Sequence, residues 1–157
     1  MRAISQMKDS LPDDLGMALV QCAQAFTKSS GSSYGTLLAT GLLSAARTLK
    51  GQTQVDVAQI SHLVAAACDK MQDRGKAELG GKTVLDSLDA VARATNGLDD
   101  ASAVAAAAAK AVDQALENFR DKPATIGRAR IFAEKSIGLN DPGMLAMQRI
   151  VKAATGR

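Results

Sequence analysis

The sequence predicts an all-α fold, an antiparallel up-and-down helical barrel or bundle of about six helices, and three observations carry that expectation. Apolar residues recur three and four positions apart along most of the chain, and no stretch shows the period-two alternation of a half-buried strand. Aromatic residues make up only 3% of the chain, so the core must be built from Ala, Leu, Val and Met, a composition that lets helices approach closely through small side chains. The length of 157 residues suits one domain, 1–157, large enough to bury a core of its own.

The helices follow in order. Asp13 and Asp14 can open the first, whose Leu15, Leu19, Cys22 or Ala23, and Phe26 share a face; the polar run Thr27 to Ser33 is expected to end it. A second runs from about Tyr34 to Leu49 with Tyr34, Leu38, Leu42, Ala45 and Leu49 inward. Gly35 and Gly41 each lower its propensity by roughly 1 kcal/mol and leave room for a neighbouring helix or a ligand. Val57, Ile60, Val64, Ala67 or Cys68, and Met71 outline the third, ending near Gly75. The fourth starts around Thr83, carries Leu85, Leu88, Val91 and Ala92, and closes at Asn96-Gly97. Asp99, Asp100 and Ser102 offer starts for the fifth, in which Val104, Ala108, Ala111 or Val112, Ala115 and Phe119 face one way. The last begins at Asp141-Pro142, an N-cap followed by proline at the first helical position, with Met144, Met147, Val151 and Ala154 inward.

Charge and cysteine content exclude some classes. The net charge of +3 is too small to argue for nucleic acid, and no aromatic residues are interleaved for base stacking. From Arg120 onward, however, eight basic residues (Arg120, Lys122, Arg128, Arg130, Lys135, Arg149, Lys152, Arg157) face three acids (Asp121, Glu134, Asp141), which suits a local anion site. Cys22 and Cys68 show no framework spacing and read as reduced, packed thiols. No signal peptide or membrane-spanning run is present, so no membrane contact is expected and the cytoplasm is the default location.

In an up-and-down arrangement the first, third and fifth connections share one end, and these are the polar, glycine-containing ones: Thr27 to Ser33, Gly75 to Thr83, and Ala124 to Gly143. The stretch from Ile126 to Gly143 is long for a connection in a small helical protein. Its Ile131, Phe132 and Ile137 are expected to pack, and it feeds into a helix N-terminus whose N–H groups and dipole favour an anion such as phosphate. Taken alone, that stretch is better explained by an ordinary capped helix after a surface loop. Gly81-Lys82-Thr83 imitates the end of a P-loop, but the first glycine would have to stand at position 76, which is Lys76, and no strand precedes it. Gly80 and Gly81 before a helix start leave two readings open, a phosphate cradle or a turn with Thr83 as N-cap. The single histidine, His62, lies off the apolar stripe and reads as solvated; Asp86 and Asp89 read as a solvated acidic face. Metal-ligand spacing and a nucleophile with an adjacent base are both absent from the sequence.

The three loops together resemble the nucleotide-binding L subunit of dihydroxyacetone kinases and the equivalent C-terminal domain of the ATP-dependent enzymes. Ser30-Gly31-Ser32-Ser33-Tyr34-Gly35-Thr36 stands beside the family's S-G-P-L-[FY]-G-T, and Arg74 to Asp86 beside R-G-K-A-x-x-G-D-K-T-M-x-D. Gly127-Arg128-Ala129, then Glu134 to Gly138 and Asp141-Pro142-Gly143, match G-R-A and E-R-S-I-G-x-x-D-P-G. The resemblance implies a helical barrel holding ADP or ATP at the loop end. Ser29 and Ser30 would meet the phosphates, Gly75 and Val84 the adenine side, Arg128 a phosphate, and Asp141, Pro142 and Gly143 would close the pocket; Gly31 and Thr83 are implied as further nucleotide-binding residues. It also implies a K-type partner subunit that holds a triose or short ketose, and in one version a phosphotransferase-system donor that recharges the bound ADP.

Departures from the family pattern are equally informative. The acidic G-D-x-D-H-G loop that holds Mg²⁺ has no counterpart here, so the domain reads as incomplete at its N-terminal end, inactive alone, and dependent on Mg²⁺ ligands supplied elsewhere. The aspartate of G-D-K-T is Gly81, and the G-G-A before the serine is Thr27-Lys28-Ser29. Helix faces left uncovered by the shortening predict a homo-oligomer. Alongside the kinase-subunit reading stand a noncatalytic scaffold or regulator and a barrel holding an apolar ligand such as a lipid.

Overall fold

The structure is a computed structural model, and it describes residue 7, residues 10–29 and residues 31–156. Among these residues six α-helices follow one another: α1 (Leu15–Ser29), α2 (Ser33–Thr48), α3 (Ile60–Gly75), α4 (Val84–Thr95), α5 (Ala101–Arg120) and α6 (Pro142–Thr155). Short 3₁₀ segments at Val57–Gln59 and Arg128–Ser136 complete the described elements. Each helix packs on its sequence neighbour, and α6 lies against both α5 and α4, as an up-and-down bundle requires.

Small residues set the spacing. A Cβ on Gly16 would lie 2.7 Å from the Ala46 carbonyl oxygen and 2.8 Å from the Lys50 Cα, so α1 can cross the end of α2 this closely only with glycine there. Gly41 does the same for Met71, whose Sδ lies 2.8 Å from where its Cβ would be. The Asp14 carboxylate fixes the start of α1 by accepting the N–H of Met17 at 2.9 Å and that of Gly51 at 2.8 Å. The core takes one large residue from each remaining helix, Leu38, Met71, Leu85, Val112 and Met147, all buried.

Two local expectations need correction. α1 does not stop at Thr27 but continues to Ser29, and the hydroxyls of Thr27 and Ser29 turn back onto the helix, donating to the carbonyls of Ala23 (3.0 Å) and Ala25 (2.7 Å). In the long connection before α6, Ile126 packs against Gly81, but the three apolar residues expected to pack do not. Ile131 is 75% exposed, Phe132 57% and Ile137 45%. That segment is anchored by Ile126 and by small and polar groups, Ala124, Ser136 and the side chain of Lys82 from the opposite loop. On α6, Ala154 is exposed, while Met144 and Met147 are buried as expected.

Candidate functional site at the loop end

The first, third and fifth connections meet at one end of the bundle. The start of α6 touches the start of α2: a Cβ on Gly143 would lie 3.5 Å from the Tyr34 ring. The end of α3 touches α2 one turn further on, with Leu37 Cδ2 lying 3.4 Å from a Cβ placed on Gly75. Gly81 abuts Ile126, whose Cδ1 and Cγ1 occupy the place of its missing Cβ at 2.7 and 2.9 Å. Its carbonyl accepts the Thr125 N–H at 3.3 Å.

Within the α3–α4 connection, Asp86 is the organiser. It is buried, not solvated as the sequence suggested, because its carboxylate accepts the N–H of Gly80 at 2.5 Å and of Thr83 at 2.7 Å. Thr83 returns the favour to the helix, its hydroxyl accepting the Leu85 N–H at 3.2 Å, so the pair forms a capping box that starts α4. Gly80 sits at φ 93°, which suits a residue without Cβ at the tightest point of the turn.

Lys82 is the group that periodicity and spacing missed. Its side chain is only 2% exposed, and its ammonium donates to three backbone carbonyls: Ser136 at 2.7 Å, Arg120 at 2.9 Å and Lys122 at 2.9 Å. All three N–H bonds are thereby used. Burial pulls its pKa below the ordinary lysine value, and the carboxylates of Asp141 and Asp121 act the other way. A P-loop lysine would project toward a phosphate; this one is turned inward, in agreement with rejecting that motif.

At the start of α6, Asp141 is the N-cap, accepting the Met144 N–H at 2.9 Å, with Pro142 in the first turn. The anion at this helix N-terminus is therefore the protein's own carboxylate, and desolvation raises its pKa against the pull of the Met144 and Gly143 N–H groups and Lys82. Close by, burial and the Asp141 charge push the Tyr34 hydroxyl up to about 12. That hydroxyl is buried and finds no hydrogen-bond partner among the described residues.

The other residues singled out in the sequence are distributed as follows. Ser29 ends α1, exposed, with its hydroxyl proton committed to the Ala25 carbonyl. Ser30 lies outside the described residues. Gly31 is exposed with open space where a Cβ would be, and Gly75 is the exposed last residue of α3. Val84 is buried at 4% exposure in the core. Arg128 is exposed on the first turn of the 3₁₀ segment, directly after Gly127 at φ 73°. The three loops thus bring glycine backbone to one end, and the fifth connection adds the exposed cations Arg128, Arg130 and Lys135. A separate groove of about 480 Å³ opens beside Gly80 and runs along α4 and α5; alanines, including Ala90 and Ala111, line it, and so does the Asp89–Arg93 ion pair at 3.0 Å.

Among the described residues no group of three or more His, Cys, Asp or Glu side chains is placed to hold a metal ion. Asp86 and Asp141, at the helix starts that follow two of the loops, both spend oxygens on backbone N–H groups. The described residues therefore do not fit a self-sufficient Mg²⁺ site. They do fit an anionic ligand, through the exposed cations and the open backbone at Gly31 and Gly127. No described helix is long and apolar enough to cross a membrane.

An antiparallel helical domain with a basic, glycine-rich end made of alternate loops is the class that fold and site define. The chain belongs to the DAK2 domain family, whose model matches residues 1–156. It is 28% identical over 146 residues to the ADP-binding subunit DhaL of PEP-dependent dihydroxyacetone kinase 1 from Listeria innocua, covering 90% of this chain and 70% of that one. The Escherichia coli ADP-binding subunit DhaL is 27% identical over 165 aligned positions, covering 98% of this chain and 79% of the relative. The L-erythrulose 1-kinase of Mycolicibacterium smegmatis is 30% identical over 139 residues, which cover 86% of this chain but only 24% of that longer protein.

Proposed function

We propose that this chain is the ADP- or ATP-binding subunit of a dihydroxyacetone kinase-like phosphotransferase, passing phosphate to a short ketose or triose held by a K-type partner. The reading is supported by family membership and by the names of the relatives, two of which are ADP-binding subunits. The observation that carries it is the convergence of three loops at one end of the bundle, with open space beside the backbone of Gly31, Gly80 and Gly127 and with Arg128 exposed directly after Gly127.

In this reading Arg128 pairs with a phosphate, and Ser29, Ser30 and Gly31 border the phosphates from the α1–α2 side. Gly75 and Thr83, with Val84 behind them in the core, border the base, and Asp141, Pro142 and Gly143 bound the pocket at α6. The bound nucleotide would supply the transferable phosphoryl group. This chain's residues bind and orient it. Its charge is matched by Arg128 and the neighbouring cations. Mg²⁺ enters only if other residues supply its ligands. A phosphotransferase-system donor that recharges ADP, a homo-oligomeric state and a cytoplasmic location belong to the same proposal.

The test is reconstitution. The chain is mixed with a K-type subunit carrying dihydroxyacetone, ATP and Mg²⁺, and dihydroxyacetone phosphate is measured. Product that depends on both chains and falls with Arg128→Ala supports the reading. Nucleotide binding without product in any combination would instead support the noncatalytic, regulatory role.

A further inference from the structure

The side chain of Lys82 and the backbone of Gly81 hold the far loop at several points. The ammonium grips the carbonyls of Arg120, Lys122 and Ser136, 38, 40 and 54 residues away in sequence. Ser136 in turn accepts the Ala124 N–H at 2.8 Å through its hydroxyl. Gly81 accepts the Thr125 N–H and receives the Ile126 side chain where its own Cβ would be. Arg128 follows two residues after Ile126, across Gly127 at φ 73°. Lys82 itself sits at φ 61°, a left-handed conformation uncommon for a residue with a Cβ.

We propose that Lys82 is a positioning residue for the nucleotide site: by holding Arg120, Lys122 and Ser136 it sets the path of the connecting loop, and with it the place of Arg128. The proposal rests on the nucleotide-binding reading above. Its three N–H bonds are spent on carbonyls, so Lys82 acts on a bound phosphate through Arg128 and not by touching it. Ile131, Phe132 and Ile137 stay exposed, so the loop is held by this polar clamp together with the Thr125 and Ile126 contacts to Gly81 and the Gly138 N–H bond to the Arg120 carbonyl.

The experiment compares the full chain with Lys82→Met, Arg128→Ala and the double variant, at a temperature where circular dichroism shows all four folded. ADP affinity in Mg²⁺ buffer is measured by calorimetry, and amide hydrogen exchange is followed across 121–139. Loss of a charge-assisted contact to phosphate predicts an affinity lower by about 10- to 100-fold for Arg128→Ala. Lys82→Met should fall in the same range, the double variant should fall no further than Arg128→Ala alone, and exchange should speed up in 121–139 but not in α1. A Lys82→Met protein that melts earlier yet binds ADP like the wild type, with unchanged loop exchange, would overturn the proposal and leave Lys82 a structural residue. If Lys82→Met does not fold, Gly81→Ala presses on the same clamp from the Ile126 side and should show the same pair of changes; neither change would overturn the proposal. Absence of ADP binding by the wild type would overturn the nucleotide reading and the ligand half of this proposal, while loop exchange would still decide whether Lys82 holds the loop.

Discussion

Gly81→Ala tests the packing of the two loops directly. The added Cβ would lie 2.7 Å from Ile126 Cδ1, 2.9 Å from Cγ1 and 3.1 Å from Cβ, so rotating the end of the isoleucine cannot relieve the whole contact. Overpacking of this kind costs about 1–3 kcal/mol. Gly81 does not sit at positive φ, so alanine meets no backbone strain there and recovers about 0.4–1 kcal/mol by restricting the unfolded chain. The net expectation is a loss of about 1 kcal/mol, which lowers the melting temperature by about 2–4 °C in a chain of this size. Urea denaturation of the wild type, Gly81→Ala, Ile126→Ala and the double variant measures the coupling, because truncating Ile126 removes the two nearest clashing atoms. The double variant should lose less than the sum of the singles by at least about 0.5 kcal/mol. A Gly81→Ala protein as stable as the wild type, with additive behaviour in the double variant, would refute the view that Ile126 fills the space beside Gly81. The family pattern has aspartate at this position, and the Cβ of an aspartate here would meet the same Ile126 atoms.

Two further outcomes are expected. Asp86→Ala strips the acceptor from the N–H groups of Gly80 and Thr83 and removes half of the capping box, a loss of about 3 kcal/mol seen as a lower urea midpoint at unchanged slope; a change below about 0.5 kcal/mol would contradict the role given to Asp86. Asp141→Asn keeps an oxygen for the Met144 N–H but removes the buried charge. Because the folded pKa of Asp141 is raised, the folded state holds its proton more readily, and its contribution to stability declines as pH rises from the ordinary carboxylate value of 3.8 through the raised folded value. The variant should therefore match or exceed the wild type near pH 7, and its advantage should shrink on acidification; denaturation at several pH values would show the reverse trend if the charge were net favourable.

The helices and their inward faces were legible because each rests on local information. The 3.6-residue period placed Leu38, Met71, Leu85, Val112 and Met147, and the Asp-Pro pair placed the start of α6. The alternation of connections put the three polar loops at one end, and Gly41 marked a real close contact, with Met71. What the sequence hid was long-range and polar. Nothing local announces that Lys82 will find carbonyls 38 to 54 residues away, or that Asp86 will turn inward onto Gly80 and Thr83 while Asp89, one helical turn on, pairs with Arg93. One signal was available for Asp86: Thr83 and Asp86 stand three apart at a helix start, the spacing of a capping box. Ile131 and Phe132 misled because apolar character alone does not say where a partner is, and in an anchored loop they remain at the surface.

The most direct test of the nucleotide-binding account is thermal unfolding with ADP, with and without Mg²⁺, on the wild type and on Arg128→Ala. Ligand at 100 times its dissociation constant adds about 2.7 kcal/mol of stability, a rise of about 5–11 °C in a chain of this size. The account predicts that rise for the wild type and its loss or marked reduction in Arg128→Ala. No rise with ADP under either condition would contradict nucleotide binding by this chain.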